Sequence, residues 1–397
     1  MPIRGIVVDV SRTLLTDRGP VDGLTDFWAA CKGHGLKIIV ASNQSREVGR
    51  LRALGFKGDF EATPQSVKAR KPSPDFVVVP AHALGLEVSD LVYLGDDDFN
   101  DAVCASHAKI PYLRAGWANP TGQYGIAVDH LTSVAQFIDL YLMKKYPWFW
   151  MADGQDLAGR AFTYRAIVDC RTLDEDQARI KAAAVRVLKD RTNLRLRPFF
   201  NNHLLTSLYL GGLVGNLDLW TTYPGHDQGS TGHSVLAPFL QDVSKQFRDS
   251  YLPLLVRHTE SQSSRRQRIK SNTPTFQEQM RTVKVTEQYS KRIEGRRVLV
   301  VDDFTTGGLT FEWARNILYA AGASDVIGVA IGKFGQDCPI VTPITGTTID
   351  PLQPTSALST DGAFPFQKDE FPRWKTDEQA NDELQASMAR FEAWSHR

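Results

Sequence analysis

The chain has 397 residues, 42% of them apolar, which is enough for two hydrophobic cores and too long for one ordinary domain, so two domains and a tail are expected. Lys+Arg 46 against Asp+Glu 45 leaves a net charge of +1, which excludes a global electrostatic case for nucleic acid or an anionic membrane; any anion site must be local. Cys31, Cys104, Cys170 and Cys338 stand far apart without zinc or redox spacing, the opening MPIRGIVVDV lacks a secretion pattern, and no apolar run approaches the roughly 18 residues of a membrane span, so a cytoplasmic protein with free thiols is expected.

In chain order, GIVVDV reads as a strand, followed by a helix near 22–34, then LKIIVAS, FVVVPAHALGL and LVYLGD. This alternation predicts a parallel sheet covered on both faces over residues 1–143. The helix SVAQFIDLYLMKKY leads into the aromatic stretch YPWFWMADG at 146–154, where the rhythm breaks and a boundary is expected. From about 160 the pattern resumes with FTYRAIVDC, a helix near 175–189, LDLWTTY, a helix near 234–247, YLPLLVRH, TVKVTE, RRVLVVDD, a helix near 310–322 and DVIGVAIG. A second α/β domain over 144–345 is therefore expected. Residues 346–397 are rich in Pro, Thr, Ser and Asp and read as a partly ordered tail, helical only near 376–394.

The segment VLVVDDFTTGGLT, 298–310, joins an apolar strand to two acids, a Thr/Gly turn and a helix start near Thr310. Glycines admit backbone N–H groups to an oxyanion, threonines add hydroxyl donors, and the helix dipole favours negative charge. Asp302 and Asp303 cannot be meant for a phosphate, but carboxylates suit a sugar diol that donates two hydrogen bonds. This run resembles the signature of the type I phosphoribosyltransferase family, and the order of pieces over about 215–332 is most similar to its competence-protein branch. The resemblance implies that Asp302 and Asp303 hold the ribose hydroxyls of phosphoribosyl pyrophosphate (PRPP), while Thr305, Thr306, Gly308 and Thr310 line its 5′-phosphate. Gly307 replaces the family's Thr or Ser, keeping the backbone donor but losing a hydroxyl. Upstream, Thr222, Tyr223, Pro224 and Gly225 fall where the family has its pyrophosphate loop. Arg257 and His258, followed by Arg265, Arg266, Arg268 and Lys270, would cover the departing pyrophosphate.

The motifs VVDVSRTLL, VASNQS, RKPSP and LGDDDFND each stand at or beside a predicted strand end, and such ends converge on one crevice of an open α/β sheet. Together they resemble the haloacid dehalogenase (HAD) superfamily over about 5–117. The resemblance implies that Asp9 attacks phosphorus, Ser42 and Lys71 hold the phosphoryl group, and Asp97 and Asp101 hold Mg²⁺ with Asp9, with Asp96 an alternative to Asp97. Ser11 stands where the family's phosphatases have a second Asp that serves as general acid and base. The intervals from Asp9 to Ser42 and from Ser42 to Lys71 are too short for a cap domain.

Two α/β domains with doubly wound parallel sheets are thus expected, HAD-like and then phosphoribosyltransferase-like. The reading is a bifunctional enzyme combining Mg²⁺-dependent phosphoribosyl transfer from PRPP to a nucleobase or related acceptor with hydrolysis of a phosphorylated substrate. The second reading is a PRPP- or nucleotide-binding regulatory protein, since Gly307 and Ser11 each subtract a catalytic group. No aromatic platform accompanies the 257–270 cations, which argues against nucleic acid; the composition leaves room for an oligomer.

Overall fold

The computed structural model describes residues 1–261, 276–353, 365–369 and 374–395. It divides into two compact units: the first comprises Met1–Pro147, Leu205–Gly215 and Asp242–Asp249, the second Trp148–Leu204, Asn216–Gln241 and Ser250–Arg397. No helix among the described residues is long and apolar enough to cross a membrane.

The first unit is built on six strands, β1 (Gly5–Asp9), β2 (Lys37–Ala41), β3 (Phe60–Ala62), β4 (Leu91–Gly95), β5 (Tyr112–Ala115) and β6 (Ile126–Val128), in the spatial order β3-β2-β1-β4-β5-β6. Every pairing is parallel. GIVVD and LVYLG are buried at all five positions, as a strand covered on both faces requires, and this is why they read as unbroken apolar runs. The helix Leu24–Gly33 buries Leu24, Phe27, Trp28 and Cys31, the spacing of one helical face. Because β1 has β2 on one side and β4 on the other, the chain reverses its winding there, and the carboxyl ends of these three strands open on a shared crevice.

The second unit carries β7 (Trp150–Gln155), β8 (Ala161–Asp169), β9 (Leu219–Thr222), β10 (Ser250–Tyr251), β11 (Leu255–Arg257), β12 (Val283–Val285), β13 (Arg297–Thr305), β14 (Asp325–Lys333), β15 (Ile340–Pro343), β16 (Phe366–Asp369) and β17 (Trp374–Thr376). Its main sheet runs β10-β9-β13-β14-β8-β7-β17. The five strands from β10 to β8 are parallel, and β7 and β17 extend the β8 edge antiparallel, so this sheet is mixed rather than purely parallel. Trp148, Phe149 and Trp150 are buried as the chain enters β7. The aromatic stretch therefore completes the core of the second unit instead of forming an exposed linker. YLPLLVRH, read as one strand, is two: Pro253 lies between β10 and β11 and cannot donate a ladder hydrogen bond.

The segment after 345 contributes more than a helix. β16 pairs with β15, β17 pairs with β7, and the helix Glu378–Ser395 packs on β8 and on the helix Glu175–Leu188. A fully buried ion network ties the helix Leu309–Ala320 to its sheet: Arg315 bridges Glu312 at 2.9 Å and Asp156 at 2.7 Å. Glu312 also accepts the Val341 N–H at 2.6 Å and the Tyr164 hydroxyl.

Candidate active site

Asp9 is the last residue of β1, Ser42 follows β2 and Asp96 follows β4, so three neighbouring strand ends place these side chains on one crevice. They line a cavity of about 220 Å³ with Ser11, Arg12, Asn43, Gln44, Lys71, Asp97 and Asn100. Lys71 is 6% exposed; its Nζ donates to Asp9 and, at 2.7 Å, to Asp101 Oδ1. Asp101 is held on all sides, for Oδ1 also accepts the Tyr93 hydroxyl at 3.0 Å and Oδ2 accepts the N–H groups of Asp96 and Asp97 at 3.2 and 3.1 Å. Gly95 makes room for this carboxylate: a Cβ there would lie 2.5 Å from Asp101 Oδ2.

The run of three acids resolves by geometry. Asp96 faces the cavity, accepting from the Thr13 hydroxyl at 3.2 Å and pairing with Arg12 at 2.7 Å. Asp97 turns its Oδ1 onto the N–H groups of Phe99 and Asn100 at 2.9 and 2.7 Å, closing the turn that leads into the helix Asp101–His107. Of the four acids expected at a metal, Asp9, Asp96 and Asp101 come together, with ligand atoms within 4.8 Å of one another, and Asp97 is occupied with the backbone instead. Ser42 Oγ accepts the Gln44 N–H at 3.1 Å, and Ser11 lines the cavity beside Asp9. Sequence reasoning missed Arg12 and Asn43; an Arg one residue after Ser11 was the one available signal for the first, and nothing marked the second.

Burial and the Asp101 charge push Asp9 up to about 7, against the pull of Lys71. Burial likewise lifts Asp96 to about 6, opposed by Arg12. Burial alone would lower Lys71, but Asp101 and Asp9 outweigh it and hold the ammonium above its ordinary value. Three buried carboxylates against one buried ammonium and the more exposed Arg12 leave negative charge that a hard divalent cation would relieve. All-oxygen donors on one or two carboxylates, with room left for phosphate, are what Mg²⁺ takes.

In the second unit, β13 continues through both acids to Thr305, which pairs with Lys333, so the turn is confined to 306–308. Thr305 Oγ1 accepts the Gly308 N–H at 3.1 Å, and Gly308, with φ 69°, precedes the helix Leu309–Ala320; a Cβ on it would meet Cys338 Sγ at 2.6 Å. Thr306 is exposed and its carbonyl accepts from the buried Lys333 ammonium, while Gly307 is half-buried, with Leu309 Cγ 3.9 Å from where a Cβ would stand. The Thr310 hydroxyl is enclosed and has no hydrogen-bond partner among the described residues.

Asp302 and Asp303 lie in different surroundings. Burial and the neighbouring Asp303 push Asp302 up to about 7. Burial would also raise Asp303, but hydrogen bonding to His233 and the charges of Lys189 and His233 outweigh it and hold Asp303 low. His233 Nε2 stands 3.5 Å and Lys189 Nζ 3.9 Å from Asp303 Oδ2. Neither residue was foreseen; His233 sits ahead of the helix Leu236–Ser244 and Lys189 ends another helix, both unremarkable positions in the text.

Tyr223, Pro224 and Gly225 leave β9 beside the end of β13, where the Tyr223 N–H reaches Val301 O at 2.8 Å. The Tyr223 side chain is buried, its hydroxyl donating to Gln279 Oε1 at 2.9 Å. Arg257, expected to face a departing anion, is 1% exposed and grips the loop: it donates to the carbonyls of Gly225 and Pro224 and to Thr282 Oγ1, and stacks over the Tyr223 ring. Its guanidinium shapes the 224–225 backbone. His258 lies beside it, its N–H bonded to Thr282 O at 2.9 Å. Arg265, Arg266, Arg268 and Lys270 lie outside the described residues.

No family model matches the chain, and no curated protein does. Among solved structures, a HAD phosphatase from Thermococcus onnurineus is 18% identical over 30% of this chain and 58% of that chain, with a TM-score of 0.29. A HAD-superfamily hydrolase of subfamily IA from Geobacter sulfurreducens is 14% identical over 35% of this chain and 99% of that chain, TM-score 0.29. A 4-nitrophenylphosphatase from Thermotoga maritima is 11% identical over 34% of this chain and 97% of that chain, TM-score 0.31.

Proposed function

We propose that the first unit is a Mg²⁺-dependent phosphohydrolase of the HAD type that works through Asp9. The observation that carries this is the convergence of the buried Asp9, Ser42, Lys71 and Asp96 on one small polar cavity at adjacent strand ends. A carboxylate Oδ of Asp9 attacks phosphorus as the P–O bond to the leaving group breaks, and water then attacks phosphorus to free Asp9 and inorganic phosphate. Lys71 and the Ser42 hydroxyl bind the phosphoryl oxygens, and the Lys71 charge offsets the negative charge that builds there. Asp9 and Asp96 would hold Mg²⁺, which supplies the positive charge that lets a carboxylate approach a phosphate dianion. Asp101, saturated with hydrogen bonds, sets the positions of Lys71 and of the Asp96 peptide. Ser11 offers a hydroxyl where a carboxylic acid would protonate the leaving group, so esters with good leaving groups are favoured. The test is hydrolysis of 4-nitrophenyl phosphate by the full chain with and without Mg²⁺; Asp9→Asn should abolish it. Activity that survives this substitution overturns the reading.

The second reading belongs to the second unit, as a site for PRPP with a base-like acceptor. It is favoured by the Thr310 hydroxyl, enclosed without a partner at the start of a helix whose cap is the left-handed Gly308. Asp302 and Asp303 read the ribose diol, and the 306–310 backbone and Thr310 the 5′-phosphate. PRPP with Mg²⁺ should raise the melting temperature, since a ligand at about a hundredfold excess over Kd stabilises by roughly 2.7 kcal/mol. Replacing Asp302 and Asp303 together by Asn should remove most of the shift; an unchanged shift excludes this site. Release of pyrophosphate with a base would mark a transferase, and binding without release a sensor.

A further inference from the structure

Next to the Asp9 crevice the first unit holds a second cavity, of about 350 Å³, lined by Asp98, Phe99, Tyr112, Tyr124, Lys245 and Gln246 among others. The turn 97–100 forms a wall of both, since Asp97 and Asn100 line the first cavity while Asp98 and Phe99 line the second. Two aromatic rings stand open at this cavity, Phe99 at 68% exposure and Tyr124 at 42%. Two open rings at one cavity offer stacking faces to a flat ligand.

The walls add polar groups whose hydrogen-bonding capacity is only partly used among the described residues. Tyr112 is 1% exposed, yet its hydroxyl has no hydrogen-bond partner among the described residues. Asp98 accepts the Gln123 N–H with Oδ2 at 3.0 Å, while its Oδ1 is enclosed and has no partner among the described residues. Gln246, 5% exposed, accepts the Tyr112 N–H with Oε1 at 3.2 Å, which leaves its amide NH₂ as a donor. Buried polar atoms are nearly always paired, and two unpaired ones around one cavity, Tyr112 Oη and Asp98 Oδ1, point to a missing partner. The complement of this set is a flat ring that offers an N–H to Asp98 and accepts from Tyr112 or Gln246.

We infer that this cavity is a second small-molecule site, which binds a planar nitrogen heterocycle of the nucleobase type. Phe99 and Tyr124 cover its faces, and Asp98, Tyr112 and Gln246 read its edge. The site does not depend on what Asp9 does. The volume is that of a one- or two-ring heterocycle rather than a polymer.

The test is calorimetric titration of the full chain with adenosine, guanosine and uridine in turn. At least one should bind, and Phe99→Ala, at a solvent-exposed position, should weaken it tenfold or more. Tyr112→Phe should also weaken binding without lowering the melting temperature, because it removes a buried hydroxyl that bonds to nothing among the described residues. If none of the three nucleosides binds, or if binding is the same in Phe99→Ala and Tyr112→Phe as in the parent, the site is overturned. The second outcome would assign the binding to another part of the chain.

Discussion

Asn43 holds the Lys71 peptide from both sides: its Oδ1 accepts the Lys71 N–H at 2.8 Å and its Nδ2 donates to the Lys71 carbonyl at 3.3 Å. The strand end that carries Ser42 thereby fixes the loop that carries the lysine, and the Nζ reaches Asp9 only from that position. Asn43→Ala should leave the fold nearly intact, since two half-buried hydrogen bonds contribute about 0.5–1.5 kcal/mol each. The kcat for 4-nitrophenyl phosphate should fall about 10- to 100-fold, because a small misplacement of a charged group weakens it most in the transition state. Equal kcat in the variant and the parent would show that Lys71 does not need this clamp.

Ser11 faces the same cavity as Asp9. A carboxylic acid at this position would protonate a departing alkoxide, help worth about 10²- to 10⁴-fold where the leaving group is poor and little where it is good. Ser11→Asp should therefore raise turnover of an alkyl phosphate at least tenfold relative to 4-nitrophenyl phosphate. The ratio of the two rates is the measurement, and it is insensitive to how much of the protein is active. An unchanged ratio would mean that leaving-group protonation does not limit the reaction.

What could be read in the sequence was whatever the sheets print as unbroken apolar runs: GIVVD, KIIVA, LVYLG, RVLVV and DVIGVAIG are strands because both faces are covered. Polar residues at their ends stood out for the same reason, which is how Asp9, Ser42, Asp96 and Asp302 came into view. The rest depended on three-dimensional partners. Three consecutive acids have no register until Asp97 is seen capping Phe99 and Asn100. Arg257 ends a strand like a ligand-facing cation, and only the carbonyls of Pro224 and Gly225 show that it serves the loop. The helix Arg197–Leu210 escaped notice because its apolar residues, including Phe199, Phe200, Leu204, Leu205 and Leu208, cover more than one face and leave no clear period. β16 and β17 are short strands in a segment whose composition reads as a loop, and they exist only through pairing with β15 and β7.

The Asp302–Asp303 pair gives the second unit a pH dependence of defined sign. Asp302 is raised from 3.8 to about 7 in the fold, so between these values the native state keeps a proton that the unfolded chain has released. Stability then falls as pH rises through this window, by at most on the order of 4 kcal/mol, and levels off above it. Asp303, held low, contributes in the opposite sense, its share being lost only at more acidic pH. Asp302→Asn should flatten the decline between pH 4 and about 7 in thermal melts followed across pH. A decline of the same size in the variant would place its origin in other groups.

The buried network of Arg315, Glu312 and Asp156 anchors the helix that begins at the 306–308 turn. Arg315→Met fills a similar volume but leaves the buried Glu312 carboxylate without its cation, whereas Asp156 keeps Arg160 at 2.7 Å, and breaking such a pair from one side costs about 3–5 kcal/mol. Glu312→Gln alone should cost less, because an amide oxygen can still accept from Val341 and Arg315 Nη2, although its NH₂ replaces the acceptor that Arg315 Nε and Tyr164 now use. Combining the two should be less harmful than the sum, since the second change removes a charge that the first left stranded. Urea denaturation of the four proteins gives the coupling directly, and additive losses would show that the carboxylate of Glu312 is not what Arg315 compensates. If PRPP binds at the 306–310 turn, Arg315→Met should also weaken it at temperatures where the variant is fully folded, because Gly308 and Thr310 ride on the first turn of the loosened helix. A variant that is less stable yet binds PRPP as the parent does would separate the anchor from the phosphate turn.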